Sequence, residues 1–139
     1  MDIKTFSLAV FALLGWGLGS FVAKLATKRI GEVSVFWDLI GYAPVILLYS
    51  LLTFKTKDLF QADKVGIILA LLAGMLGVMG VVSFYVLLTK KDASMVVPLT
   101  ALYPALTALL AMIFLKEPLT LIKGIGLLLS VVSLVLLSV

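Results

Sequence analysis

The chain has 139 residues, 63% of them hydrophobic and only 13% charged, where a soluble domain carries about 25% charged residues. It contains no Cys and no His, which excludes disulfides, thiolate chemistry, imidazole catalysis and most transition-metal sites, and with them most enzyme classes. The net charge of +4 does not point to nucleic acid, because the 11 basic residues stand at the ends of apolar stretches, where lipid headgroups account for them.

Runs free of Asp, Glu, Lys and Arg cover residues 5–23, 39–54, 65–89, 93–115 and 124–139. A helix needs about 20 residues to cross a hydrocarbon core of about 30 Å, and the two shorter runs reach that length by taking in residues 33–37 and 119–122. The pattern predicts an all-α integral membrane protein with five transmembrane helices, at about 4–28, 33–54, 64–89, 93–115 and 118–138. The first span is longer than the apolar core of a signal peptide, about 7–15 residues, and no small-x-small site precedes the next spacer, so it is expected to be a mature helix.

Span 1 runs into Thr27-Lys28-Arg29-Ile30-Gly31-Glu32, where Gly31 suits a helix C-cap. Span 2 opens near Ser34 and carries Pro44 inside, where the lost backbone hydrogen bond predicts a kink. The spacer 55–64, with Lys55, Lys57, Asp58, Asp63 and Lys64, reads as aqueous, and Lys90-Lys91-Asp92 after span 3 reads as a tight hairpin. The last 47 residues resemble one very long helix, but Lys116-Glu117-Pro118 divides them, since Pro is unfavourable in a helix interior and suited to its first turn. No internal repeat or low-complexity segment is visible, and residues 1–139 read as a single membrane domain.

An odd number of crossings leaves the two termini on opposite faces, so an upside-down second copy would reproduce the inverted repeat on which many transporters are built. Lys and Arg near span ends orient membrane proteins. Lys4, Lys55, Lys57, Lys64, Lys116 and Lys123 fall on the amino-terminal side, and Lys24, Lys28, Arg29, Lys90 and Lys91 on the other, a split of six to five. So even a split predicts dual topology with antiparallel pairing, unless the first helix or a partner chooses one orientation.

Lys24 and Asp38 are the ionisable groups placed inside spans, each about one turn from the same spacer. A charge at a helix centre costs roughly 2.5–3.5 kcal/mol on insertion scales, so the two are expected to pair or to face protein. They are candidates for a gate or for a substrate and proton contact. The alternative is a Lys reaching for headgroups and an Asp tied to the hairpin. Small residues recur at Gly15 and Gly19, at Gly74, Gly77 and Gly80, at Ala101, Ala105 and Ala108, and at Gly126 and Ser130, a pattern suited to close helix packing in lipid. Gly15-x-Gly17-x-Gly19 has the wrong spacing and context for a dinucleotide loop. Trp16, Ser20, Ser83, Tyr85, Thr100, Tyr103 and Thr107 are polar or aromatic groups suited to a cavity, the last three at i, i+3 and i+7. Alternatively, the hydroxyls bond their own helix and the aromatics sit at the interface. Pro98 and Pro104 are expected to kink span 4, and they free carbonyls beside that stripe.

The most specific string is Ala93-Ser94, then Tyr103-Pro104-Ala105-Leu106-Thr107-Ala108-Leu109-Leu110-Ala111, then Leu115-Lys116-Glu117-Pro118-Leu119-Thr120. With Trp16-Gly17, Phe21 and Ala23-Lys24-Leu25-Ala26 in span 1, it resembles the EamA domain of the drug/metabolite transporter superfamily over nearly the whole chain. One departure is Trp37-Asp38, where the family commonly has an Arg, so that Arg's role does not carry over. Most members fuse two such domains in inverted order, and this chain looks like the single-domain form, half of an inverted-repeat transporter of ten helices. The resemblance implies that spans 1, 3 and 4 line a central cavity while span 5 packs at the periphery.

The expected function is therefore transport of a small metabolite across a prokaryotic cell membrane, by alternating access in an antiparallel homodimer, with no cofactor, no metal and no catalysis. No ATP-binding loop is present, so coupling would be to protons or to the substrate gradient. Two other readings fit the sequence: an accessory or scaffold subunit of a hetero-oligomer, and a flippase of a lipid-linked substrate. A small-multidrug-type proton antiporter fits worse, because that family has four helices and a Glu in the first, which here carries no acid inside the span.

Overall fold

The computed structural model describes residues 2–55 and 61–138, with side chains through residue 136. Lys57 and Asp58 of the expected aqueous spacer lie outside these residues. Every regular element among the described residues is helical. In chain order they are α1 (Ile3–Ile30), a 3-10 turn (Gly31–Val33), α2 (Ser34–Thr53), α3 (Lys64–Lys90), α4 (Ala93–Thr100), α5 (Tyr103–Phe114) and α6 (Leu121–Ser138).

Three apolar helical stretches are long enough to cross a bilayer: Ile3–Thr53, Lys64–Lys90 and Ala93–Phe114. A shorter one covers Leu121–Leu136. The large apolar side chains along them are mostly exposed: Phe11 is 78% exposed, Leu52 78% and Leu121 81%. That surface could not stand in water, because exposed apolar patches of even a few hundred Å² are unusual on soluble monomers. Lipid supplies the missing apolar surroundings.

Helix starts are fixed by side-chain caps. The Asp2 carboxylate accepts the Thr5 amide at 3.0 Å, Asp63 accepts that of Gly66 at 2.8 Å, and the Thr120 hydroxyl that of Lys123 at 3.3 Å. Each satisfies one of the amides that a helix start leaves without a partner. The Thr120 cap explains why α6 begins at Leu121 and leaves Pro118 ahead of the helix, where its first turn was expected. The Thr5 hydrogen bond holds the exposed Asp2 carboxyl below its ordinary value of 3.8. A depressed folded pKa means the cap's contribution is present above the ordinary value and fades as the pH falls through the lower folded one. The Thr5 amide should therefore lose hydrogen-exchange protection on acidification below about pH 4, while amides in the middle of α1 do not. Asp2→Asn should remove this pH dependence.

α1 ends where the sequence suggests. Gly31 is its C-cap at φ +62°, ψ −146°, with its amide bonded to the Thr27 carbonyl. This backbone region is open essentially to glycine alone. Just beyond it, the Ser34 hydroxyl donates to the Gly31 carbonyl at 2.6 Å. At the other sharp turn Lys116 takes φ +55° without being a glycine, a conformation that costs of order 1–3 kcal/mol. This turn ends α5 and separates it from α6.

The expected helix over 93–115 is interrupted. α4 stops at Thr100 and α5 starts at Tyr103, with a turn at Ala101 and Leu102 between them. Pro104 has no amide to give the carbonyl four residues back, which is that of Thr100, and its ring crowds the same carbonyl. The break therefore falls where the missing donor puts it, and Pro104 serves as a first-turn residue of α5. Pro44 and Pro98 lie inside α2 and α4. Pro104→Ala restores the donor and should join α4 to α5, giving residue 104 an exchange-protected amide. The gain in stability should be at most roughly 3 kcal/mol, the helix penalty of Pro relative to Ala.

The described chain falls into two units, residues 1–89 and 90–139. In the first, α2 packs back on α1 next to the turn, and the buried residues Ala23, Thr27, Ser34, Tyr85 and Leu88 gather toward the turn end of α1 and α2 and the carboxyl end of α3. In the second, α6 packs on α4 and α5, and the buried apolar residues are Val96 and Leu134.

Candidate functional site

The first unit holds a groove of about 250 Å³. Its walls come from small residues of α1 (Gly19, Ala23, Ala26), from Trp37 and Asp38 of α2, and from Tyr85 of α3. Small side chains every three or four residues leave one face of α1 shallow, and the groove runs along that face. Asp38 is half-buried on its wall, and Tyr85 is only 4% exposed. The Tyr42 and Tyr85 hydroxyls both interact electrostatically with the Asp38 carboxylate. Tyr42 stands one helical turn after Asp38, on the same face of α2. The Trp37 ring is braced edge-on by Phe36, with centroids 5.6 Å apart and planes at 81°.

Lys24 addresses the same end of α3 from α1. Its ammonium donates to the Leu88 carbonyl at 2.6 Å. Leu88 belongs to the last four residues of α3, whose carbonyls have no partner within the helix, and it is 0% exposed. A cation at a helix C-terminus also meets the negative end of the helix dipole. Of the two ionisable groups predicted to lie inside spans, Lys24 thus holds α3 through the Leu88 carbonyl, and Asp38 faces the groove that Tyr85 of α3 also lines.

The other expected cavity residues are placed as follows. Ser20, Ser83 and Thr107 donate to the carbonyls of Trp16, Met79 and Tyr103, four residues back, at 2.8, 2.9 and 3.0 Å. Thr100 does the same to Val96 at 2.9 Å and to Val97 at 3.1 Å. These hydroxyls spend their protons on their own helices and keep acceptor capacity. Trp16 is 70% exposed and Tyr103 57%. Thr100 lies on α4 and Tyr103 and Thr107 on α5, so the expected single stripe is divided by the break at Ala101 and Leu102. Trp37 and Tyr42 were absent from the expected cavity set, although the spacing of Asp38 and Tyr42 was there to be read. Among the described residues, no cluster of three or more acidic side chains is placed to hold a metal ion.

The profile of the EamA-like transporter family matches residues 3–139. The chain belongs to this family. An uncharacterised protein of Methanocaldococcus jannaschii is 33% identical over 132 residues, which cover 95% of this chain and 94% of the relative. No solved structure matches the chain. EamA proteins are multi-pass membrane transporters of the drug/metabolite transporter superfamily and not enzymes, in keeping with the helical, lipid-facing surface of this chain. The groove around Asp38 offers charge, aromatic surface and hydroxyls together.

Proposed function

We propose that two oppositely oriented copies of this chain form a ten-helix transporter that moves a small metabolite across a prokaryotic cell membrane by alternating access. The observation that carries this reading is the family match over residues 3–139. The match to the relative, over 94% of that protein's own length, is in keeping with this reading. Dividing the stretch Ile3–Thr53 at Gly31 supports the reading of five crossings, since its 51 residues would span about 75 Å if straight, far more than one bilayer core. In this reading the fifth is the shorter apolar helix α6, of 18 residues.

Two further features favour a second copy. A Cβ added at Gly15, Gly19, Gly74, Gly77, Gly80 or Gly126 would meet nothing within 4 Å, so each of these small-residue faces has no close neighbour within its own unit among the described residues. The six-to-five split of basic residues lets both orientations insert. In this assembly Asp38 and Tyr85 mark the substrate cavity, with Trp16, Ser20, Lys24, Ser83, Thr100, Tyr103 and Thr107 as its further lining. Substrate binding shifts the balance between outward-open and inward-open states only to the extent that it prefers one of them.

Paired reporters on the carboxyl terminus test the reading, one active only in the cytoplasm and one only outside. Both are expected to be active at comparable protein levels. Activity of one alone rules out a homodimer of opposed copies.

A further inference from the structure

Resting on the transporter reading, we infer that α5 is a rigid arm that swings about Ala101 and Leu102, against a fixed pair formed by α4 and α6, as the protein passes between its outward-open and inward-open states. The backbone hydrogen bonds at the break stay on their own sides. The Ala101 amide donates back to the Val97 and Pro98 carbonyls at 3.0 and 3.1 Å, and the Ala105 and Leu106 amides donate back to the Leu102 carbonyl at 3.0 and 3.4 Å. None of these bonds joins α4 to α5. The hydroxyls repeat the pattern, since Thr100 donates to Val96 and Val97 within α4 and Thr107 to Tyr103 within α5. Pro104 has no amide to offer the Thr100 carbonyl, so a change of angle at Ala101 and Leu102 breaks none of them. In an unbroken span the same bend would strip backbone groups of their partners inside lipid, which is expensive.

The two arms are held unequally. α6 packs on α4 more extensively than on α5, and the buried apolar residues of this unit, Val96 and Leu134, lie on α4 and α6. Among the described residues, α5 buries none. Its far end is free to move as well, because residues 115–120 between α5 and α6 are not helical and Lys116 turns there at φ +55°. Six residues of extended chain reach about 20 Å, so the tip of α5 can shift while α6 stays on α4. The arm has 12 residues, about 18 Å at 1.5 Å per residue. A turn of about 10° at the break therefore carries its tip about 3 Å.

In a pair of opposed copies the two-fold axis lies in the membrane plane, so copies of identical conformation would open equally to both sides. Access from one side at a time requires the two copies to differ, with one arm in each position. The chain has no Cys, so spin labels on introduced Cys pairs test this in the full chain in lipid nanodiscs, diluted with unlabelled chain so that only distances within one copy are read. Ile113→Cys with Leu128→Cys reports α5 against α6, and Ser94→Cys with Leu128→Cys reports α4 against α6; all three positions are exposed. Double electron–electron resonance should give two distances for the first pair, at least about 3 Å apart and in comparable amounts, and one distance for the second. Pro104→Ala, which returns a donor to the Thr100 carbonyl, should merge the two distances into one. The comparison of the two pairs needs no change at Pro104, so it stands even if Pro104→Ala folds poorly. A single distance in the first pair, a matching split in the second, or two distances surviving in Pro104→Ala overturns the inference. The orientation reporters decide the transporter reading separately.

Discussion

Replacing Lys28 and Arg29 together by Gln is expected to convert a population with two orientations into one with a single orientation, and to abolish transport with it. The two residues are exposed in the last turn of α1, and their removal changes the basic count from six against five to six against three. The amino-terminal side then becomes the cytoplasmic one under the positive-inside rule, and the carboxyl terminus faces out. A cytoplasmic reporter there should fall to about a tenth of its original activity or less, while an external reporter rises. The cost to folding is small, because each basic side chain in a last helical turn contributes only about 0.3–1 kcal/mol.

The complementary change, Lys4, Lys57 and Lys64 each to Gln, leaves three basic residues against five and should lock the opposite orientation. Each biased variant alone lacks an inverted twin and should be inactive; produced together they should recover transport. Recovery in the mixture, with neither variant active alone, is a result that a same-facing oligomer cannot give. Full activity of either variant alone would end the antiparallel proposal and leave the family membership intact.

What the sequence revealed divides along physical lines. Apolar runs and their charged spacers located the helical stretches, because hydrocarbon thickness and the need to satisfy every backbone group leave a chain of this composition little choice. Gly31 was legible as a cap because few residues tolerate its backbone angles. Lys24 and Asp38 stood out because charge inside a span is expensive. The break at Ala101 and Leu102 was half legible: Pro104 announced a freed carbonyl at Thr100, but whether the helix kinks or divides depends on the neighbouring turn. The partners of the two charges were not legible. The Leu88 carbonyl is 64 residues from Lys24, and a backbone acceptor leaves no mark in the sequence. Tyr42 could have been found by its four-residue spacing from Asp38, whereas Tyr85 reaches Asp38 only through the fold.

The partner found for Lys24 changes what its loss should do. A Lys that touches substrate would, on becoming Met, leave the fold stable and weaken transport. A Lys that caps α3 would do the reverse. Met keeps most of the side chain's length and apolar stem, so packing of that stem is little disturbed, but the donor to the Leu88 carbonyl disappears. Leu88 is fully buried, so water does not readily replace that donor. A buried acceptor left without its donor costs roughly 1–3 kcal/mol. Lys24→Met is therefore expected to lower the thermal midpoint in detergent by several degrees and to reduce steady-state abundance. Amides in the last turn of α3 should lose hydrogen-exchange protection, while those near Gly74 keep theirs. Because Tyr85 sits one turn before the capped carbonyl, the same fraying should loosen its approach to Asp38, so transport per folded molecule falls only in proportion to that loosening. Lys24→Arg keeps a charged donor of similar reach and should recover most of the stability. If Lys24→Met instead melts like the unmodified protein and loses all transport, Lys24 belongs to the substrate path and the cap on α3 is incidental.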